Sequence, residues 1–445
     1  MSPLRLLFNK QKNRQLLALA LPMILSNITV PLLGLVDTAV VGHLSNAYYL
    51  GGVAVGSTII TLILWILGFL RMSTTGLVAQ AFGGNNLQAQ YRLLLQSATL
   101  AMGLGCLAIV LQSPIINLAL SFSDASSEVQ FYSQAYFEIR IWSTPFALLN
   151  LALLGWLLGR QQPKAAMWQL IIANCANISL DLLFVIGFDW GVQGAALASV
   201  FADIAGFSVA ATMVFKQITQ QGNFNLSQLV HQLSWQSYKQ LLGLNRDIFI
   251  RSLCLQAAFA FMTFKGASLG DNTVAANAVL LNLLLLISYA LDGIAYYAEA
   301  EVGRAFGERN QTRLAEAVTL ATLWSGISAI LFMLFFALWG RDIIQLLTSL
   351  DAVQSEAYQY LHWIIWLPIL SFASYLFDGV YIGAAQGAAM RNTMIISTFG
   401  VFFPTWFALQ SYGNHALWAA MSMFMLARSA TLAIHYRYRL KCRPL

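Results

Sequence analysis

The sequence predicts an all-α integral membrane protein with twelve transmembrane helices in two homologous six-helix halves. Three observations support this prediction. Of the 445 residues, 58% are hydrophobic and 9% are charged, with a mean hydropathy of +0.67, whereas soluble domains contain roughly 25% charged residues. Apolar runs long enough to cross a bilayer recur along the whole chain. A motif at the end of the second run returns at the end of the eighth.

The apolar runs define the predicted helices. An α-helix needs about 20 predominantly apolar residues to cross roughly 30 Å of hydrocarbon. The predicted spans lie near residues 15–42, 50–73, 91–113, 130–158, 165–187, 191–216, 238–264, 273–299, 314–338, 355–382, 393–411 and 415–436.

Basic residues lie mainly on one side of the predicted topology. The N-terminus, the even-numbered connections and the C-terminus carry most of them, as at Lys10, Arg160 and Arg437. By the positive-inside rule, both termini are expected to be cytoplasmic. The net charge of +6 therefore indicates orientation and not nucleic-acid binding. No cleavable signal is expected, because the basic start runs directly into the first span.

An internal repeat relates the two halves. The stretch VAQAFGGNN at 78–86 matches VGRAFGERN at 302–310. The same sequence offset pairs Gly159 with Gly383 and Gly155 with Gly379. Six spans return the chain to its starting side, so the repeats are parallel. The predicted division is an N-terminal lobe at 1–218, a cytoplasmic linker at 219–240 and a C-terminal lobe at 241–445. The linker is interpreted as an amphipathic helix or a flexible connection.

The first span contains a carboxylate, Asp37, inside an otherwise apolar run. An aspartate at the centre of a membrane helix costs about 2.5–3.5 kcal/mol on translocon scales, and such residues usually serve in ion or proton relays. Pro22 and Pro31 weaken the same helix, so it can bend. The alternative is a buried Asp that only hydrogen-bonds a neighbouring helix, with tolerated kinks.

The fifth span carries three polar residues on one face, Asn174, Asn177 and Asp181, at positions i, i+3 and i+7. Ser199 and Asp203 lie one turn apart in the sixth span. In the repeat, the positions equivalent to these fifth-span residues are Thr398, Val401 and Thr405. The position equivalent to Asp37 is Phe261. A pure scaffold role would favour polar residues in both halves, so the asymmetry favours an ion site in the first half.

Other acids in the predicted spans are secondary candidates. Asp378 and Asp292 could contact substrate or form a second protonation site, whereas Glu299 and Glu301 could pair with Arg304 at the cytoplasmic end. The four cysteines form neither a CxxC pair nor a Cys/His cluster, so no disulfide, metal site or cofactor is predicted.

The chain resembles the MATE (multidrug and toxic compound extrusion) family, in particular its bacterial DinF-like branch. The resemblance is carried by Pro22 with Asp37, GLVAQAFGGNN, LGRQQPKAAM and NISLD. It implies two six-helix lobes related by pseudo-twofold symmetry around a central cleft. It also implies an acid at Asp37, an amide and an acid at Asn177 and Asp181, a hydroxyl at Ser199 and a bending proline at Pro22. The NorM-like branch has a seventh-helix glutamate for Na⁺, which SLCLQAAFAFMTF lacks, so the resemblance favours H⁺.

These observations predict a proton-coupled antiporter and not an enzyme. It would export cationic or amphipathic drugs as a monomer in the lipid bilayer, with protonation of Asp37 bending the first helix.

The alternatives are Na⁺ coupling, for which Asp378 resembles the NorM tenth-helix acid, and a flippase for lipid-linked precursors. A flippase needs buried cations, and the spans offer few besides Arg251 and Arg140. An intramembrane aspartyl enzyme would need Asp37 and Asp181 to share a water.

Overall fold

The computed structural model describes residues 6–42, 47–121, 126–222, 225–231 and 233–440. Of residues 31, 32, 34, 35, 37–39, 41, 42, 47, 226 and 228 it describes the backbone alone. The side chains of two predicted site residues, Asp37 and Pro31, therefore lie outside the described part of the chain.

Every regular element in the described ranges is helical. The α-helices are α1 (Lys10–Gly42), α2 (Ala47–Ile66), α3 (Phe69–Gly83), α4 (Leu87–Val110), α5 (Gln112–Ser121), α6 (Ser127–Arg140), α7 (Thr144–Gly159), α8 (Pro163–Asp181), α9 (Gly191–Gln221), α10 (Leu226–His231), α11 (Trp235–Ala267), α12 (Asp271–Gly307), α13 (Gln311–Leu347), α14 (Asp351–Gly383), α15 (Gly387–Ile395), α16 (Phe403–Leu409) and α17 (Asn414–His435). Short 3₁₀ segments cover Ile141–Ser143 and Gln410–Tyr412, and π-helical segments cover Leu182–Gly187, Ile396–Phe402 and Tyr436–Leu440.

Eleven of the twelve predicted membrane helices are confirmed. Among the described residues, 11 helices are long and apolar enough to cross a bilayer, and each overlaps one of the predicted spans from 50–73 onward. The span predicted at 15–42 lies within α1, which is helical through Pro22 and Pro31. The chain is therefore an all-α, multi-pass membrane protein.

The described residues divide into two compact units. The first unit comprises residues 25–241, and the second comprises residues 242–440 together with the segment up to Ile24. Helix α1 passes from the second unit to the first between Ile24 and Leu25, just after Pro22. Within the second unit, Gln15 of α1 donates to Glu301 of α12 at 2.6 Å.

The linker predicted at 219–240 contains α10 and the start of α11. It packs against α4 within the first unit. Gln96 Nε2 donates to Ser237 Oγ at 2.8 Å, and the hydroxyl groups of Thr99 and Tyr238 lie 2.7 Å apart. Leu229 is buried. The contacts attach this segment to the first unit.

The backbone shows the same internal repeat as the sequence. Non-glycine residues with positive φ end α3 and α12 at Asn85 (51°) and Arg309 (54°), and end α7 and α14 at Gln161 (60°) and Ala385 (52°). Both pairs are related by the offset that carries Gly155 onto Gly379. The capping bonds repeat as well, since the N–H groups that follow Asn85 and Arg309 donate to the carbonyls of Ala81 and Ala305, respectively. Left-handed backbone at a helix C-terminus lets such bonds satisfy carbonyls that lack helical partners.

Two of the repeated glycines sit where helices cross closely. A Cβ at Gly155 of α7 would lie 2.6 Å from the carbonyl oxygen of Arg71 in α3. A Cβ at Gly379 of α14 would lie 2.4 Å from the carbonyl oxygen of Ala295 in α12. Small residues at such crossings allow membrane helices to approach at backbone distance. The repeat therefore preserves the same helix contact in both units.

Candidate functional site

The polar face predicted on the fifth span lies on α8. Asn177 and Asp181 are buried, with 4% and 2% of their surface exposed, and Asn174 is half-buried. The α-helical pattern ends at Asp181, where the π-helical segment Leu182–Gly187 begins. Single π turns inside helices occur frequently at functional sites. The change of helix type thus falls directly beside the buried acid.

Hydrogen bonds connect this face to two neighbouring helices. Asn174 Nδ2 donates to Thr29 Oγ1 of α1 at 2.6 Å, and Asn177 Nδ2 donates to Ser199 Oγ of α9 at 3.4 Å. The structure thus brings together Asn177 and Ser199, two of the positions that the resemblance implied. It adds Thr29, which sequence reasoning missed because a threonine in an apolar helix usually bonds its own backbone. Thr29 Oγ1 also donates to the Ser26 carbonyl at 2.6 Å.

Thr29 lies on the helix that carries Asp37. Asp37 follows Thr29 along α1 by a little over two helical turns, at about 3.6 residues per turn. Pro22 is buried in the same helix, before Thr29. The Asn174–Thr29 bond therefore joins the polar face of α8 to the segment of α1 between the predicted hinge and the predicted proton acceptor.

Asp203 belongs to a separate ion pair. Arg140 Nη1 donates to Asp203 Oδ2 at 2.5 Å, and Ser143 Oγ donates to the same oxygen at 2.9 Å. The side chains of Arg140 and Asp203 are 11% and 20% exposed. The Asp203 carbonyl also accepts from Asn150 Nδ2 at 2.9 Å. Asp203 thus connects α9 by hydrogen bonds to the junction between α6 and α7.

In the second unit, Asp378 of α14 lies between two buried arginines. Arg428 Nη2 of α17 donates to Asp378 Oδ2 at 2.8 Å, and Arg251 Nη2 of α11 donates to the same oxygen. Asp292 of α12 is half-buried and accepts from Ser288 Oγ of its own helix at 3.4 Å. The two secondary candidates therefore differ, since Asp378 is the centre of an ion cluster and Asp292 bonds a hydroxyl.

The acids at the C-terminal end of α12 have defined partners. Glu301 Oε2 accepts from Arg313 at 3.0 Å, and Arg304 Nε donates to Glu308 at 2.8 Å. The sequence alone suggested Arg304 as a partner for Glu299 and Glu301. The structure adds the Glu301–Arg313 bond, which joins α12 to α13.

The sequence matches one protein-family model and is similar to several known proteins. The MatE family model matches the chain twice, over residues 22–183 and 248–407, so each half contains one copy. DNA damage-inducible protein F of Escherichia coli is 46% identical over 431 residues, covering 97% of this chain and 93% of that protein. A probable multidrug resistance protein NorM of Caulobacter vibrioides is 26% identical over 398 residues, covering 86% of this chain and 80% of that protein.

The fold is also found among solved structures. One is described as the outward-facing conformation of a multidrug resistance MATE family transporter of the MOP superfamily. It superposes with a TM-score of 0.87 at 19% sequence identity and covers 96% of each chain. At this identity most side chains differ, so the superposition shows a shared fold.

Proposed function

Because the chain belongs to the MatE family of membrane transporters, we propose that it is a proton-coupled antiporter that exports cationic or amphipathic drugs and toxic compounds. It works by alternating access, as a monomer in the bacterial inner membrane with both termini cytoplasmic. The NorM relative, whose name refers to multidrug resistance, supports the substrate class. The bacterial relative from Escherichia coli supports the inner-membrane location.

The hydrogen-bonded polar face of α8 carries this proposal. A buried acid, Asp181, lies on the same helix face as two amides, and one of these amides bonds the helix that contains Asp37. A proton that binds Asp37 removes its charge and turns the carboxyl into a hydrogen-bond donor. The neutral group can then bond the amide and carboxylate oxygens on α8. Proton binding thereby changes which contacts between α1 and α8 are favourable.

Bending of α1 converts these contacts into movement. Pro22 lacks the N–H that would bond the carbonyl four residues earlier, and α1 changes units between Ile24 and Leu25, just after this proline. We assign the hinge to this point. When Asp37 is protonated, the part of α1 beyond Pro22 bends toward α8 and reduces the space for drug in the first unit. Drug leaves on the side from which the proton entered, and release of the proton to the cytoplasm resets the helix.

The charges around Asp378 disfavour Na⁺ binding at this acid and so support coupling through the first unit. A Na⁺ ion bound at Asp378 would face two guanidinium groups that already bond this carboxylate. Like charges at such distances repel strongly in a low-dielectric interior. The α8 site has amide and carboxylate oxygens and a hydroxyl, and a proton needs no further ligands there. Coupling through the first unit is therefore the more favourable arrangement.

Transport in reconstituted vesicles tests the choice of ion. Purified protein in proteoliposomes should move rhodamine 6G, a fluorescent cation, when a pH gradient is imposed in sodium-free buffer. Collapse of the gradient with a K⁺/H⁺ exchanger should stop this movement. Strict dependence on added Na⁺ would contradict proton coupling and direct attention to Asp378.

A further inference from the structure

The second unit contains a buried cluster with more positive than negative hydrogen-bonding groups. Arg251, Arg428 and Asp378 come from three different helices, α11, α17 and α14. Their side chains are 6%, 3% and 12% exposed, respectively. Both guanidinium groups bond one oxygen, Oδ2, of the single carboxylate. One acid thus balances two bases at hydrogen-bonding distance.

The two arginines keep unused hydrogen-bonding capacity. The Nε–H groups of Arg251 and Arg428 are buried and have no hydrogen-bond partner among the described residues. Arg428 Nη1 has the Met425 sulfur as its neighbour at 3.3 Å, and sulfur is a weak acceptor. A buried donor without a good acceptor is destabilising, and more so when it is charged. The arrangement is therefore unfavourable unless another acceptor completes it.

Two aromatic rings lie near the guanidinium group of Arg428. The Arg428 guanidinium carbon lies 5.5 Å from the ring centre of Phe424 and 6.0 Å from that of Tyr375. Tyr375 is half-buried and also lies within electrostatic range of Asp292. Asp378 is the most exposed member of the cluster, so a ligand would reach the arginines from the side of this carboxylate.

We propose that Arg251 and Arg428 bind the acid group of an amphipathic anion, a carboxylate or sulfonate on an apolar body, which replaces Asp378 as their hydrogen-bond acceptor. The proposal rests on the transporter function and extends the substrates to anions. Planar guanidinium groups match carboxylate and sulfonate oxygens, often with two parallel bonds. Asp378 serves as the resident counter-ion when no anion is bound. The half-buried ring of Tyr375 contacts the apolar body.

Asp378 distinguishes this role from a purely structural ion cluster. In a structural cluster, loss of Asp378 leaves two buried arginines unpaired, and every ligand should bind less well. In a substrate site, loss of Asp378 removes a competitor of the anion. Asp378→Asn should then strengthen anion binding, which a structural role does not predict.

Two dyes that share the xanthene ring system but differ in charge provide the probes. Fluorescein is an anion and rhodamine 6G is a cation. Their affinities are measured by fluorescence anisotropy with purified protein in phosphatidylcholine nanodiscs, and thermal unfolding of each variant confirms that it is folded. Empty nanodiscs give the background. Transport of rhodamine 6G by the wild type tests the general transporter function independently of fluorescein binding.

The variants should change the two affinities in opposite ways. Arg251→Gln and Arg428→Gln should each weaken fluorescein binding about ten-fold, since each removes a charge-assisted hydrogen bond, with little effect on rhodamine 6G. The remaining arginine still pairs with Asp378 in each variant, which favours correct folding. Arg428→Lys should retain part of the affinity, and Asp378→Asn should increase it. Absence of fluorescein binding above background, or weaker fluorescein binding in Asp378→Asn, would overturn the proposal.

A second arm distinguishes a free organic anion from a lipid headgroup, which carries similar chemistry. The titration is repeated in nanodiscs that contain phosphatidic acid. Competition with fluorescein that disappears in Arg428→Gln would identify the lipid phosphate as the occupant of the arginine site and overturn the assignment to a free anion. Unchanged fluorescein affinity would support a free amphipathic anion.

Discussion

The two units share a backbone plan and differ in the chemistry of their interiors. Positive-φ residues at helix ends, capping bonds and glycine crossings recur at the same repeat offset. The first unit has amides, a hydroxyl and Asp181 on and around α8. The second unit has two arginines around Asp378. Evolution of a repeat can therefore keep the contacts that set helix packing while it changes the groups that meet ions and substrates.

The counterpart of Asp37 illustrates this divergence. Phe261, at the equivalent position, lies in an aromatic cluster, with its ring centre 4.9 Å from that of Trp406, 5.2 Å from Phe403 and 5.9 Å from Phe402. An aromatic cluster of this kind gains from burial and from edge-to-face geometry. The second unit thus has apolar packing where the first has a carboxylate.

The sequence offset between equivalent residues of the two units changes between the start of α8 and the start of α9. Gly191 begins α9 and Gly413 immediately precedes α17, with φ of 54° and 58°, yet the offset that relates the other glycines would pair Gly191 with His415. The first unit therefore has a short insertion between the start of α8 and this glycine. The π-helical segments also differ in position, at Leu182–Gly187 and Ile396–Phe402. The counterpart of Asp181 is Thr405 or Phe403, depending on where the insertion falls, and neither residue is an acid.

The largest expected effect comes from Asp37. Asp37→Asn should abolish proton-driven export of rhodamine 6G, because asparagine resembles the protonated acid in shape but cannot exchange a proton. The matched variant in the other unit, Phe261→Leu, should retain export with some loss of stability. Export and the amount of folded membrane protein are measured together. Undiminished export by Asp37→Asn would remove the proposed coupling residue.

The polar face of α8 should show the next largest effect. Asp181→Asn and Asn177→Ala should greatly reduce export at unchanged expression. Thr405→Val and Thr398→Val should reduce it little, since hydrogen bonds between membrane helices contribute about 0.6 kcal/mol on average. Equal losses from both pairs, measured as initial export rates, would indicate that this face is general scaffolding in both units.

The glycine crossings should respond alike in both units, because they belong to the shared backbone plan. Gly155→Ala and Gly379→Ala each place a methyl group at or below 2.6 Å from a carbonyl oxygen, and overpacking of this kind costs about 1–3 kcal/mol. Thermal unfolding of the purified variants should show comparable losses. A large loss in one unit and none in the other would contradict equivalent packing.

The helical membrane fold, the span positions and the repeat were predictable from the sequence. These properties depend on composition, on the length of apolar runs and on local backbone preferences, all of which can be read along the chain. The polar face of α8 was also predictable, since Asn174, Asn177 and Asp181 follow helical spacing. The side-chain environment of Asp37 stays a prediction, because it lies outside the described part of the structure.

The partners of the buried charges could not be predicted without the packing of the helices. Asp203 bonds Arg140, 63 residues away, and Asp378 bonds Arg251 and Arg428, 127 and 50 residues away. Sequence reasoning grouped Asp203 with the α8 site and treated Asp378 as an isolated acid, because spacing within one helix does not reveal which helices are neighbours. In a low-dielectric interior, the nearest opposite charge determines what a carboxylate can do. Whether a carboxylate belongs to an ion pair, as Asp203 and Asp378 do, therefore depends on how helices distant in sequence pack together.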